Sequence, residues 1–230
     1  MVRAEDNSAH IMDRVAAHRR AVYAILHGGS ARGHRANPAA SLRVEKVFCL
    51  SVLLSGMAGI MLTNKEEKLL DQHYKVHLQR LLKLHQATPA PVVYFLAGSL
   101  PFIALLHLRI FSLFGQLCRL RHGENILATQ ALNVLSSANG SSKSWFWKLR
   151  QLSLQYKLPH PSTWLTGQLS KAKVKTMARN AVHEYWRKEL QTKAGTLKSL
   201  CYIKTGFMSL VVTHPSTQPV SLLPGRSRRR

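Results

Sequence analysis

Acidic residues are scarce in this chain: 10 Asp and Glu stand against 33 Lys and Arg, a formal net charge of +23 over 230 residues. Between Gln72 and His183 the only carboxylate is Glu124. Two-metal phosphoryl or nucleotidyl transfer needs clustered Asp and Glu to hold its ions, and glycoside hydrolysis usually needs a carboxylate pair. That stretch suits neither, so no enzyme is expected. Cysteine is scarce as well. Cys49, Cys118 and Cys201 are odd in number and far apart, which leaves no disulfide framework and no Cys-x-x-Cys metal clamp. A reducing compartment fits. The N-terminus, Met1-Val2-Arg3-Ala4-Glu5-Asp6, has no apolar core region, so no secretory signal is expected. Glu5, Asp6 and Asp13 argue against a mitochondrial presequence. Nucleus or cytoplasm is the expected location.

Long apolar runs are also missing. A membrane-spanning helix wants roughly 20 apolar residues. The runs 47–63 and 92–106 are shorter and broken, the first by Ser51, Ser55, Gly56 and Gly59, the second by Gly98 and Pro101. They read as core helices, with a small membrane-associated helical protein as the alternative. What the chain does have is a 46% hydrophobic fraction, enough for a core, and a pI of about 10.8. Excess Lys and Arg suits a polyanion, because each phosphate contact releases condensed counterions.

The pattern is helical almost throughout. Ile11, Val15, Val22 and Leu26 share one helix face, and Gly28-Gly29 ends it. Asn37-Pro38 reads as a cap with proline at the first helical position. Thr63-Asn64-Lys65-Glu66 has capping-box form, opening a helix over about 64–86. Helices flank Gly98-Ser99-Leu100-Pro101, the second running to about Leu120. Asn139-Gly140-Ser141-Ser142 reads as a joint, Pro159 and Pro161 as an irregular link, and Ser170 as the cap of a basic helix over about 171–193. The expected fold is all-α, an irregular helical bundle with a smaller basic helical subdomain. Its expected divisions are a disordered 1–10, a thumb-like helical subdomain 11–138, a basic helical subdomain 143–210 and a disordered basic tail 211–230.

Several pieces in this order resemble a known family. They are Arg14-Val15-Ala16-Ala17-His18-Arg19-Arg20-Ala21-Val22-Tyr23, Val52-Leu53-Leu54-Ser55-Gly56, Leu70-Asp71-Gln72-His73-Tyr74-Lys75, and Thr88-Pro89 leading into Val93-Tyr94-Phe95-Leu96-Ala97-Gly98-Ser99-Leu100-Pro101. Leu113-Phe114-Gly115, Lys143-Ser144-Trp145-Phe146-Trp147, Gln155-Tyr156-Lys157-Leu158-Pro159-His160-Pro161 and Glu184-Tyr185-Trp186 continue the series. Together they resemble the region downstream of the polymerase in non-LTR (LINE-type) retrotransposon reverse transcriptases, over about 11–210. The resemblance implies a helical, thumb-like segment that helps hold RNA and DNA, with the rest of a reverse-transcriptase protein as a further partner. The Tyr-x-Asp-Asp catalytic pair is absent, as are an endonuclease segment and a Cys/His cluster. Ser55 and Met57-Ala58 stand where the family commonly has Tyr before and Glu after the glycine. Polymerase, nuclease and zinc functions therefore do not carry over.

Lys171, Lys175 and Arg179 form one stripe of a helix, with Val174, Ala178, Ala181 and Tyr185 on another. A basic stripe over an apolar face suits phosphate contact, and Lys173, Arg187 and Lys188 extend it. The competing reading is an ordinary solvated face. Trp145 and Trp147 beside Lys148 and Arg150 could stack bases and hold phosphate. Core packing of the aromatics is the competing reading, since Trp145, Leu149 and Leu152 keep helical spacing. His73 and His77 are spaced to share a metal, but no third ligand follows nearby. No metal and no cofactor are expected. The expected function is non-catalytic binding of RNA or DNA; an orphan product of a degraded element remains the further alternative.

Overall fold

Ile11, Val15, His18 and Val22 recur at helical spacing and form the buried side of helix α1 (Asn7–His27). The computed structural model describes residues 7–27, 38–122, 129–130, 133, 144–166 and 171–197. Among them no strand occurs, and the chain is all-α. The expected tail 211–230, the joint at 139–142, the Gly28-Gly29 stop and the Ser170 cap lie outside the described residues, whereas residues 7–10, expected to be disordered, begin α1.

Pro38 opens helix α2 (Pro38–Val44), as the Asn37-Pro38 signal predicts. The first apolar run does not continue it as one helix. A π-helical turn, Glu45–Cys49, follows, and the Leu50 N–H bonds back to the Glu45 carbonyl five residues earlier. This wider turn buries Glu45 and Cys49 and leaves Val47 and Phe48 exposed. Helix α3 (Leu50–Leu54) then ends at Gly56, whose φ of 75° favours glycine. A 3-10 turn (Met57–Gly59) completes the segment.

Thr63 and Glu66 close the predicted capping box of α4 (Asn64–Leu81): the Glu66 carboxylate accepts the Thr63 N–H at 2.6 Å, and the Thr63 hydroxyl accepts the Glu66 N–H at 3.3 Å. The helix stops at Leu81, short of the predicted 86. Gln79 explains the stop, because its buried amide donates to the Gln86 and Thr88 carbonyls at 3.1 Å and folds the turn back on the helix. Helix α5 (Ala90–Ala97) starts after Pro89 and ends at Gly98, with φ 54°. Asp71 of α4 receives the Phe102 N–H at 2.8 Å and the Tyr94 hydroxyl at 3.0 Å, so it caps the long helix α6 (Phe102–His122) from a distance.

Ser144 caps helix α7 (Trp145–Gln155) by accepting the Trp147 N–H at 3.0 Å. The link containing Pro161 is not wholly irregular, since Pro161 opens a short helix, α8 (Pro161–Thr166). Helix α9 (Lys171–Gly195) follows and packs along α6.

Residues on both sides of the expected joint share one apolar core, in which Leu53, Tyr74, Phe102, Phe111, Phe114, Leu149, Trp164 and Val182 are all buried. Phe114 stacks on Trp164 with ring centroids 5.6 Å apart. The Tyr156 hydroxyl accepts the Trp186 indole N–H at 2.9 Å and lies 2.6 Å from His107 Nδ1, joining α6, α7 and α9. By length and composition the segment Phe102–Leu120 could cross a membrane. In this fold it forms the centre of the core, with Ala104, Leu106, Ile110, Phe111 and Phe114 buried.

Candidate functional site

The sequence of α9 divides the helix into two sides. Val174, Ala178, Val182 and Leu190 are buried against the body, with Ala181, Tyr185 and Trp186 half-buried beside them. Lys173, Lys175 and Arg179 are exposed. Burial of Val174, Val182 and Leu190 contributes roughly 1.5–3 kcal/mol each, whereas an exposed i,i+4 ion pair gives about 0.3–0.5 kcal/mol. Packing therefore sets where this helix lies, and its charged side is left to solvent. Lys171 opens the helix, in line with Lys175 and Arg179 by sequence.

The charge is not spread evenly along α9. From Lys171 to His183 the helix carries no carboxylate. Among the described residues, no ion pair includes Lys175 or Arg179. Further along, Glu184 accepts from Lys188 at 2.7 Å and Glu189 pairs with Lys193 at 3.0 Å. The hydrogen bond and charge of Lys188 hold the Glu184 carboxyl below its ordinary range. Lys188, another expected phosphate contact, stays exposed, with part of its charge offset by this neighbouring acid. Arg187 is half-buried.

In the second expected patch, on α7, the core-packing reading holds for Trp145. Trp145 is 7% exposed and donates its indole N–H to the Ala58 carbonyl at 2.8 Å, so it offers no open face for a base. Lys148 pairs with Glu67 at 2.8 Å, with side-chain exposures of 20% and 9%. Its ammonium tethers α7 to α4. Trp147 and Arg150 are half-buried. The cationic surface of the predicted set is therefore concentrated in the first half of α9.

A second assembly lies in the interior. His73 and His77 sit one turn apart on α4, and the structure brings two more groups to them, His18 from α1 and Glu45 from the π-helical turn. His18 Nε2 and His77 Nε2 each lie 3.7 Å from Glu45 Oε1, and His18 Nδ1 lies 3.1 Å from His73 Nε2. The His18 and His77 rings meet edge to face, with centroids 4.9 Å apart. Burial pushes the Glu45 carboxyl up to about 7 and the three imidazoles down to about 4. Lys46, next in sequence to Glu45, is turned elsewhere and donates to the Ala97 and Gly98 carbonyls at 3.1 and 2.8 Å.

Local spacing could not reveal this grouping, because its members are 55 residues apart in the case of His18 and His73. Two signals were nevertheless available. His18 occupies the apolar stripe of α1 where an aliphatic residue is expected, and Glu45 is the only carboxylate between Asp13 and Glu66. No protein-family model matches the chain, and no curated protein or solved structure matches it either.

Proposed function

We propose that this chain is a non-catalytic nucleic-acid-binding protein, related to the helical segment that follows the polymerase in LINE-type reverse transcriptases. The observation that carries the reading is the first half of α9. There Lys173, Lys175 and Arg179 are exposed on a helix whose other side is buried, and no carboxylate occurs between Lys171 and His183. Cations presented on a rigid element meet a phosphate backbone with little loss of conformational freedom. Release of counterions then supplies the affinity without reading sequence. RNA and DNA share that backbone, so both are ligands of this surface, in single- or double-stranded form. The polymerase and nuclease steps belong to residues that the resemblance does not supply here.

The test is a fluorescence-anisotropy titration of the purified chain against RNA, single-stranded DNA and duplex DNA of equal length. Tight binding at low salt that weakens steeply as salt rises supports the reading. Failure to bind any of the three at about 50 mM salt contradicts it.

A further inference from the structure

The interior assembly of His18, Glu45, His73 and His77 is built from groups that leave their own binding capacity unused. His18 Nε2, His77 Nε2 and both Glu45 oxygens have no hydrogen-bond partner among the described residues. Side-chain exposure is 1% for His18, 2% for Glu45 and 9% for His77. Buried polar atoms are normally satisfied, and an unsatisfied buried carboxylate is especially costly. Here His18 Nε2, His77 Nε2 and Glu45 Oε1 converge on one another. We infer that His18, Glu45 and His77 form a binding site for a single zinc ion.

Geometry and ligand type agree. Zinc takes imidazole nitrogen and carboxylate oxygen at about 2.0–2.2 Å in a tetrahedron, which sets ligand atoms about 3.4 Å apart. The ligand atoms of His18, Glu45 and His77 all lie within 4.8 Å of one another, and both His–Glu separations are 3.7 Å. A small contraction of the side chains completes three vertices. The fourth is open to a water or to the second Glu45 oxygen. Two neutral nitrogens and one carboxylate form a recognised zinc set, and imidazole favours zinc over magnesium or calcium.

His73 acts from behind. If His18 Nδ1–H donates to His73 Nε2, across the observed 3.1 Å, the lone pair of His18 stands on Nε2 and faces Glu45. A partner on the far nitrogen is the usual device that fixes the tautomer of a metal-binding histidine. The π-helical turn supplies the remaining element, since it carries Glu45 into the interior while Lys46, Val47 and Phe48 face outward. Such turns often occur at functional sites.

Burial of all three ligands gives no route for a substrate, so the ion's role is structural. It clamps α1, the π-helical turn and α4, which are otherwise held together by packing and the His18–His73 contact. The site is independent of the basic surface on α9, and its test does not depend on nucleic-acid binding.

The experiment uses the untagged full chain, stripped with EDTA and dialysed against metal-free buffer. Zinc is titrated against a chromophoric chelator, and cobalt(II) is added separately as a spectroscopic stand-in. The expected result is one zinc per chain and visible d–d absorption of tetrahedral cobalt that zinc abolishes. The melting temperature should rise by about 5–10 °C when free zinc is 100-fold above Kd. Glu45→Gln and His77→Gln should each lose the stoichiometric site. His73→Gln should keep the stoichiometry with affinity weakened about 10–100-fold. A wild-type chain that takes up no stoichiometric zinc and gives no cobalt spectrum overturns the inference. So does unchanged binding in both Glu45→Gln and His77→Gln, which would place the metal among other histidines. If either variant fails to fold, the wild-type cobalt spectrum alone decides.

Discussion

Val174 of α9 lies directly over Gly115 of α6, so close that a Cβ added at Gly115 would come within 2.7 Å of the valine Cγ1. Glycine in mid-helix gives up about 1 kcal/mol of helix propensity relative to alanine. Here that loss is exchanged for close contact between the helix that fills the core and the helix that carries the basic surface. Gly115→Ala should therefore destabilise the protein by about 1–2 kcal/mol, the overpacking cost exceeding the propensity gain. Val174→Ala should relieve the clash, so that the double variant is more stable than the sum of the single losses implies. Urea unfolding of the four proteins checks this. A Gly115→Ala variant as stable as the parent would contradict the close packing of α9 on α6.

The pair between Glu67 and Lys148 separates a structural cation from a binding one. Lys148→Gln leaves a nearly buried carboxylate without its partner and should cost about 1–3 kcal/mol, toward the lower end for buried pairs because Lys148 keeps some solvent contact. The salt dependence of nucleic-acid binding should not change in the same variant. A lowered salt slope, with stability intact, would return Lys148 to the binding surface.

Stability should fall in acid, in part through His107. Burial, together with the nearby charge of Lys148, pushes this imidazole down to about 3, while in the unfolded chain it takes a proton near pH 6.5. Between these values the unfolded state holds the extra proton, so stability is full above about pH 6.5 and is lost progressively as pH falls toward 3. His107→Gln removes this uptake and keeps a polar group beside the Tyr156 hydroxyl. The slope of unfolding free energy between pH 6 and pH 4 should then flatten by about 1.4 kcal/mol per pH unit. Equal slopes in the two proteins would show that His107 is already charged in the fold.

Local patterns are legible in the sequence. The Thr63–Glu66 box, the proline start of α2 and the apolar stripes of α1 and α9 all rest on contacts within a few residues. What stayed hidden depends on partners far away in the chain. Lys148 reads as a surface cation until Glu67 is placed beside it, and the helical spacing of Trp145 suggests core packing without showing that the Ala58 carbonyl takes its N–H. The π-helical turn at Glu45–Cys49 leaves no periodic signal, because one residue added to a turn shifts the register without changing composition. His18 and Glu45 were out of place in their own surroundings, a histidine in an apolar stripe and a lone acid, but only the packing of α1 on α4 gives them a common purpose. The stripe of α9 is amphipathic as its spacing predicts, while the decline of its charge beyond Glu184 follows from pairs at i,i+4 spacing.

The most direct test of nucleic-acid binding through α9 compares the parent chain with the triple variant Lys173→Gln, Lys175→Gln, Arg179→Gln. Glutamine removes the charge and keeps helix propensity, and all three positions are exposed, so helical content by circular dichroism should be unchanged. Affinity is measured for one duplex and one single strand across a series of salt concentrations. The expected result is weaker binding to both ligands, with the slope of log K against log salt reduced by about 2–3, corresponding to three lost phosphate contacts. An unchanged slope at unchanged helicity would mean that these residues form only a solvated face, and that the proposed function is wrong for this surface.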